Sequence, residues 1–295
     1  MNSFIKFVTL NNLGVIQCDK DFKSLTTIGC GGKIKVLYYP SDTSSLALAF
    51  SYICEHNIRY FILGNGSNVL ASDMLFNGVV VCLKKMPYSY EVIDDKITIS
   101  AFYPTINLAY DLALKELGDF SYLGGIPGLL GGAIYNNGGA FNSNISDSLI
   151  SLRYINTSGN IIELLKEECA FGYRNSIFHY IPGIIIDAKF NVKKMNTNEK
   201  LEEYKKKRML SQPQNAKSMG SIFKNNPLIP AWQIVDALRL RGVRIGDALV
   251  SSKHSNFILN VKNAKSSDVL RIIQIIKNRS RLEFGIQLVE EVTIV

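Results

Sequence analysis

GIPGLLGGAIYNNGGAF, residues 125–141, carries glycine at 125, 128, 131, 132, 138 and 139, together with a proline, two asparagines and no charge. Ordering so much glycine costs conformational entropy, because glycine has more backbone freedom to lose than any other residue. A plain turn has no use for so long a segment. Either backbone packs closely on backbone, or side-chain-free backbone comes up to a ligand and turns its N–H groups toward anionic oxygens. A shorter segment of the same kind, GNGSN at 64–68, follows the apolar run RYFIL. Taken alone, it reads equally well as a tight turn. Neither segment is followed by the Gly-Lys-Ser/Thr of a P-loop, and neither fits Gly-x-Gly-x-x-Gly.

Strand and helix patterns alternate around these segments. KIKVLYYP reads as a strand ending at Pro40, and the next eighteen residues as a helix with Leu46, Phe50, Ile53 and Cys54 on one face. RYFIL and GVVVCLKK read as buried strands, which makes the first part α/β in pattern. YEVIDDKITISAF is a hairpin turning at Asp94–Asp95, and TINLAYDLALKELG a helix ending at Gly118. SLRYINTSGNIIELLK is a second hairpin with Ser158–Gly159 at its turn, and PGIIIDAKFNV a further strand. The composition turns polar and basic near residue 193, where a domain boundary is placed. Beyond it, a helix starts near Pro230 with Trp232, Val235 and Leu238 inward. A long amphipathic helix follows, capped by Ser266 or Ser267, and IQLVEEVTIV closes the chain as a strand.

The 295 residues are 47% hydrophobic and 20% charged, a globular profile with room for more than one core. The longest apolar runs are too short to span a bilayer, and the N-terminus lacks the apolar core and cleavage site of a signal peptide. Cys18, Cys30, Cys54, Cys82 and Cys169 are odd in number and form no Cys-x-x-Cys. That spacing argues against a disulfide framework or a zinc site and for a reducing cytoplasm. His56, His179 and His254 are scattered, so no metal is assigned. Residues 196–282 hold 17 Lys/Arg against 6 Asp/Glu, whereas the rest holds 16 against 19. A basic C-terminal third fits an anionic ligand, although EEYKKKR at 202–208 reads simply as an exposed helix face with Glu–Lys pairs.

The glycine-rich stretch, preceded by TTIGCGG and ILGNGSN, resembles the FAD-binding signature of the UDP-N-acetylenolpyruvoylglucosamine reductase family. FGYRNSIF (171–178), GSIFKN (220–225), RIGDALVSSKHSNFILN (244–260) and FGIQLVEEVTIV (284–295) are similar to that family's later blocks, in order, over nearly the whole chain. The resemblance implies an α+β fold: a two-subdomain FAD-binding region of the vanillyl-alcohol-oxidase type plus a separate α+β substrate-binding domain. The flavin region would cover 1–195, with subdomains of about 1–82 and 83–195 and a returning strand at 283–295. The substrate domain would cover 196–282. The implied activity is reduction of a UDP-linked enolpyruvyl sugar to the lactyl ether for peptidoglycan synthesis, with non-covalent FAD and with NADPH as hydride donor.

By the same resemblance, Arg174 clamps the substrate carboxylate, Ser221 donates a proton, and Glu291 supports the carboxyl end. Glu290 stays open as the alternative to Glu291, since strand alternation does not decide between them. Gly64, Asn65, Gly66, Ser67 and Asn68 match the pyrophosphate loop. Gly125, Ile126, Pro127, Gly128, Gly132, Ala133 and Asn137 match the close flavin approach, and Lys224, Asn225, Lys253 and His254 match substrate contacts. Only about thirty residues separate Phe190 from Ser221. That places the chain with the shorter subtype lacking an extra tyrosine loop, and Tyr204 is not given that loop's role. One rival reading is another FAD-dependent oxidase or dehydrogenase of the same flavin fold. Many of these hold FAD through histidine, which the glycine loops lack. A second rival, a basic nucleic-acid-binding module, lacks interleaved aromatics and any recognition-helix signature.

Overall fold

A computed structural model describes residues 1–295. The chain forms two compact units, one of residues 1–18, 36–65 and 77–207, the other of 19–35, 66–76 and 208–295. The sequence-based boundary at 195/196 lies within the first unit, which the chain leaves after Lys207. No helix is long and apolar enough to cross a membrane.

The first unit has two hydrophobic cores. In one, strands Gly14–Gln17, Lys33–Pro40, Phe76–Cys82 and Tyr60–Leu63 lie side by side in that order. Helix Thr43–Glu55 covers them. Asp42 starts this helix by accepting a hydrogen bond from Ser45 N at 2.7 Å, and that bond holds its carboxyl below the usual range. Leu46, Ala49, Phe50 and Ile53, spaced as one helical stripe, are fully buried. Cys54, expected on that stripe, is only partly buried.

The other core lies on an antiparallel sheet ordered Ile161–Leu165, Leu149–Ile155, Ile184–Asn191, Lys96–Ser100, Tyr90–Ile93. Both expected hairpins are present. Asp94 takes a left-handed φ of 55° at one turn and Gly159 a φ of 79° at the other. Helix Thr105–Leu114 packs Leu108, Leu112 and Ala113 on this core. It stops short of Gly118 because Glu116 already turns left-handed, at φ 55°. Gly118 N instead donates to Lys193 O at 2.9 Å. EEYKKKR lies on the polar helix Asn198–Ser211, where Lys207 pairs with Glu203 at 2.6 Å.

The second unit is built around helix Ser266–Phe284, which buries Val269, Ile272, Ile273 and Ile276. A small antiparallel sheet of Arg244–Ile245, Ala248–Val250 and Ile258–Asn260 belongs to the same unit. The helix start differs from expectation. Neither serine caps it; Lys265 holds the cap position. The carboxylate of Asp73, distant in sequence, accepts from Ser266 N at 2.8 Å, Ser267 N at 3.0 Å and Ser266 Oγ at 3.0 Å.

Burial alone would raise the Asp73 carboxyl, but these hydrogen bonds outweigh it and hold the carboxyl below the usual range. The carboxylate therefore stabilises the fold above the unfolded-state value of about 3.9, and that contribution is lost as pH falls through the lower native value. Asp73→Ala is expected to cost about 1–2 kcal/mol at neutral pH, as for loss of a helix cap. Its deficit against the wild type should shrink on acidification; chemical denaturation at neutral and acidic pH measures both.

Two further expectations are corrected. Helix Ala231–Ala237 and the residue after it turn Ala231, Ile234, Val235 and Leu238 inward. That helical period puts Trp232 off the buried face, and it is 38% exposed. The chain terminus is not one continuous strand. Residues 289–291 pair with 222–224, whereas Thr293–Ile294 runs parallel to Val69–Leu70.

Candidate active site

In the first unit, one residue anchors the glycine-rich loop. Buried Thr105 donates from N to Gly128 O at 3.1 Å and from Oγ1 to the carbonyls of Gly128 and Ile126. Leu130 N and Gly131 N donate to Tyr103 O and Ala101 O, fixing the far side of the loop. The individual glycines have separate reasons. A Cβ on Gly131 would come 3.1 Å from Ala101 Cβ, and one on Gly139 would strike Ser143 O at 2.3 Å, so close backbone packing accounts for both. Gly132 is exposed, and a Cβ there would meet nothing within 4 Å. Gly64 lies against Leu129 in the same unit. Small, half-buried residues on a backbone held firmly through its carbonyls are the kind of surface a flavin dinucleotide requires.

The next block is tied to this frame. Asn137 Nδ2 donates to Gly172 O at 3.0 Å, and its Oδ1 accepts from Ser146 N at 3.1 Å. Ser176 Oγ donates to Tyr135 O at 2.6 Å. Between these ties, Gly172 and Asn175 pair to close a tight turn that presents Tyr173 and Arg174. Arg174 adopts a left-handed φ of 53°, a conformation that costs a non-glycine residue on the order of 1–3 kcal/mol. Its Nη2 donates to Gly139 O at 3.0 Å, and its guanidinium lies over the Tyr173 ring at 5.1 Å. Arg174, Asn137 and the glycine stretch are thus one connected group.

The second unit gathers the remaining blocks. Gly66 turns the chain at φ 67° where a Cβ would strike Leu25 O at 2.3 Å, so only glycine fits. Thr27 N donates to Gly66 O at 3.0 Å and Thr27 Oγ1 to Ser218 O at 2.6 Å, linking TTIGCGG to both GNGSN and the serine segment. Asn68 Nδ2 donates to Glu291 O at 3.0 Å. Glu291 N donates to Ile222 O at 2.8 Å, and Lys224 N to Val289 O at 2.9 Å, so Ser221 and Glu291 sit at the ends of paired segments. The Glu290 carboxylate accepts from Lys277 Nζ at 2.7 and 2.9 Å.

The other predicted contacts stand apart in role. Asn225 Oδ1 accepts from Ala231 N at 3.1 Å, and Lys253 Nζ donates to Met209 O at 2.6 Å. His254 packs edge-on against Phe257 at 4.8 Å. Burial, then the nearby Arg241 cation, pushes its imidazole below the usual value, so the ring is neutral at physiological pH. Burial pushes the Cys30 thiol up to about 11, which keeps the thiol of the TTIGCGG segment protonated.

Sequence reading missed Thr105, Thr27, Asn256 and Asn260. Asn260 is buried and donates to Ile28 O and Gly29 O while accepting from Ala264 N. The available signal was polar residues inside apolar runs, as in HSNFILN, since a buried amide must find partners.

Comparison with known proteins defines the class first. Residues 34–165 match the FAD binding domain. The fold is shared at low identity with alkyldihydroxyacetonephosphate synthase (TM-score 0.50, 15% identity, covering 66% of this chain and 40% of that one) and with berberine bridge enzyme from Eschscholzia californica (TM-score 0.50, 14%, 64% and 43%). The chain thus carries an FAD-binding domain with the vanillyl-alcohol-oxidase type of flavin fold.

Residues 212–295 match the UDP-N-acetylenolpyruvoylglucosamine reductase C-terminal domain. Reductases of that name from Caldanaerobacter subterraneus (35% identical over 285 residues; 96% of this chain and 94% of the relative) and Clostridioides difficile (33% over 294; 99% and 97%) align end to end. The crystal structure of UDP-N-acetylenolpyruvylglucosamine reductase from Thermus caldophilus superposes with TM-score 0.80 at 28% identity, over 95% of this chain and 99% of that one. The chain belongs to the UDP-N-acetylenolpyruvoylglucosamine reductase family.

Proposed function

We propose that this chain reduces the enolpyruvyl ether of a UDP-linked N-acetylglucosamine to the lactyl ether, UDP-N-acetylmuramate, using NADPH. FAD, when bound, supplies the hydride for the terminal carbon of the substrate double bond. The chain's own residues manage charge and the proton. Addition at the terminal carbon drives negative charge toward the adjacent carbon and its carboxylate. Arg174, planar and permanently charged, holds that carboxylate in a bidentate fork and stabilises the developing enolate. Ser221 gives its Oγ proton to the carbon next to the carboxylate. A serine hydroxyl is a poor acid, but a developing carbanion in a water-excluding site is basic enough to take the proton.

Glu291 supports the carboxyl end. Its neighbour Glu290, bound to Lys277, is the alternative for this role. Gly64–Asn68 and the loop containing Gly125, Ile126, Pro127, Gly128, Gly132, Ala133 and Asn137 hold the cofactor. Lys224, Asn225, Lys253 and His254 bind the substrate. The five unpaired cysteines agree with work in the cytoplasm.

The observation that supports this reading is the pairing of 222–224 with 289–291, which ties the segment after Ser221 to the segment ending at Glu291, whose carbonyl accepts from Asn68 Nδ2. Purified protein is expected to be yellow, to release its flavin on heating, to bleach with NADPH, and to consume NADPH only when the enolpyruvyl sugar is present. Substrate-independent NADPH consumption, or flavin that stays with the acid-precipitated protein, would overturn it.

A further inference from the structure

We propose that Asn256 is a positioning residue that sets where the Ser221 hydroxyl stands; this rests on reading Ser221 as the proton donor. Ser221 lies between two contrasting neighbours. On its N-terminal side, Gly220 takes a left-handed φ of 76° and a Cβ there would meet nothing within 4 Å, so Gly220 itself gives the serine no packing support. On its C-terminal side, Ile222 and Phe223 are fully buried, and all four of their backbone polar groups are engaged. Glu291 N donates to Ile222 O. The other three groups meet Asn256. Ile222 N donates to Asn256 O at 2.9 Å, Phe223 N donates to Asn256 Oδ1 at 3.0 Å, and Asn256 Nδ2 donates to Phe223 O at 2.9 Å.

The Asn256 side chain therefore acts as a strand of one residue. Its amide presents a donor and an acceptor to Phe223 as a neighbouring peptide would. Asn256 is itself buried, so no water stands ready to replace it. An ionised carboxylate at this position would accept from Phe223 N but face Phe223 O with a second acceptor, forcing the segment away. A neutral carboxyl would restore one donor and one acceptor. That difference gives the clamp a pH signature, which a purely structural role lacks.

The test is anaerobic single-turnover reoxidation, by the UDP-linked enolpyruvyl sugar, of flavin-loaded, NADPH-reduced protein. For Asn256→Asp at neutral pH we expect normal flavin content, normal reduction by NADPH, and reoxidation slowed about 10²-fold, the loss typical of a reacting group displaced by about 1 Å. As pH falls and the introduced carboxyl protonates, its rate relative to wild type should recover. Asn256→Ala should stay slow at every pH. In a Ser221→Ala background, Asn256→Asp should add little, because the two act as one unit. Wild-type reoxidation by Asn256→Asp, or equal slowing of both half-reactions with no recovery at low pH, overturns the clamp. If Asn256→Ala does not accumulate as folded protein, the Asn256→Asp pH profile alone decides. Slow Ser221→Ala beside normal Asn256→Asp overturns the clamp and spares the serine; normal Ser221→Ala overturns both.

Discussion

Arg174→Lys should bind flavin, accept a hydride from NADPH at close to the wild-type rate, and lose about 10²–10³-fold in kcat/KM for the enolpyruvyl sugar. That is the range seen when one donor to a developing oxyanion is removed. The charge is kept, so a purely electrostatic role would leave most of the activity. What is lost is the planar fork. Lysine offers a compact ammonium that cannot meet both carboxylate oxygens in one plane. It also loses the guanidinium's contact with Gly139 O and its place over Tyr173. The backbone at 174 pays for its left-handed conformation with either side chain, so a change in stability should not account for the result. Rate constants for each half-reaction, with melting temperatures alongside, separate these effects.

Ser221→Ala should have the largest effect of any single substitution. Reduction by NADPH needs no proton from Ser221 and should proceed normally. Steady-state turnover should fall by about 10³–10⁴-fold, the upper range for loss of a positioned acid. Substrate binding should change little, because one hydroxyl is removed from a segment whose backbone stays clamped at Ile222 and Phe223. A drop in kcat with KM nearly unchanged would mark an interaction made in the transition state rather than with bound substrate. Ser221→Cys, which keeps a proton on a more acidic atom, should retain more activity than Ser221→Ala.

Local signals carried much of this molecule into its sequence. Leu46, Phe50 and Ile53 fall on one helical period visible within a dozen residues, although Cys54, read onto the same face, is only partly buried. The two hairpins announced themselves through Asp94 and Gly159, which accept left-handed backbone. The glycine-rich stretch was legible as a place of close backbone approach, and the structure divides that role, with Gly131 and Gly139 answering to packing and Gly132 open.

Pairing between remote segments was not legible. Ser266 takes its partner from Asp73, 193 positions earlier, and no periodicity within the helix could name it. The C-terminal segment read as one strand because it is rich in β-branched and other apolar residues, yet it divides between residues 222–224 and 69–72. Alternation could not choose between Glu290 and Glu291. The ion pair of Glu290 with Lys277 is set by tertiary packing, which alternation cannot show. Asn256 and Asn260 looked like ordinary polar residues in an apolar run, and their meaning lies in the backbones they meet.

The central claim is that the Ser221 segment completes a reduction begun elsewhere on the enzyme. Its most direct test reduces wild-type and Ser221→Ala proteins with NADPH under anaerobic conditions, mixes each with the UDP-linked enolpyruvyl sugar, and follows the return of oxidised-flavin absorbance through one turnover. The account predicts full recovery for the wild type and almost none for Ser221→Ala on the same timescale, with both bleached equally beforehand. Equal recovery in the two proteins would contradict it.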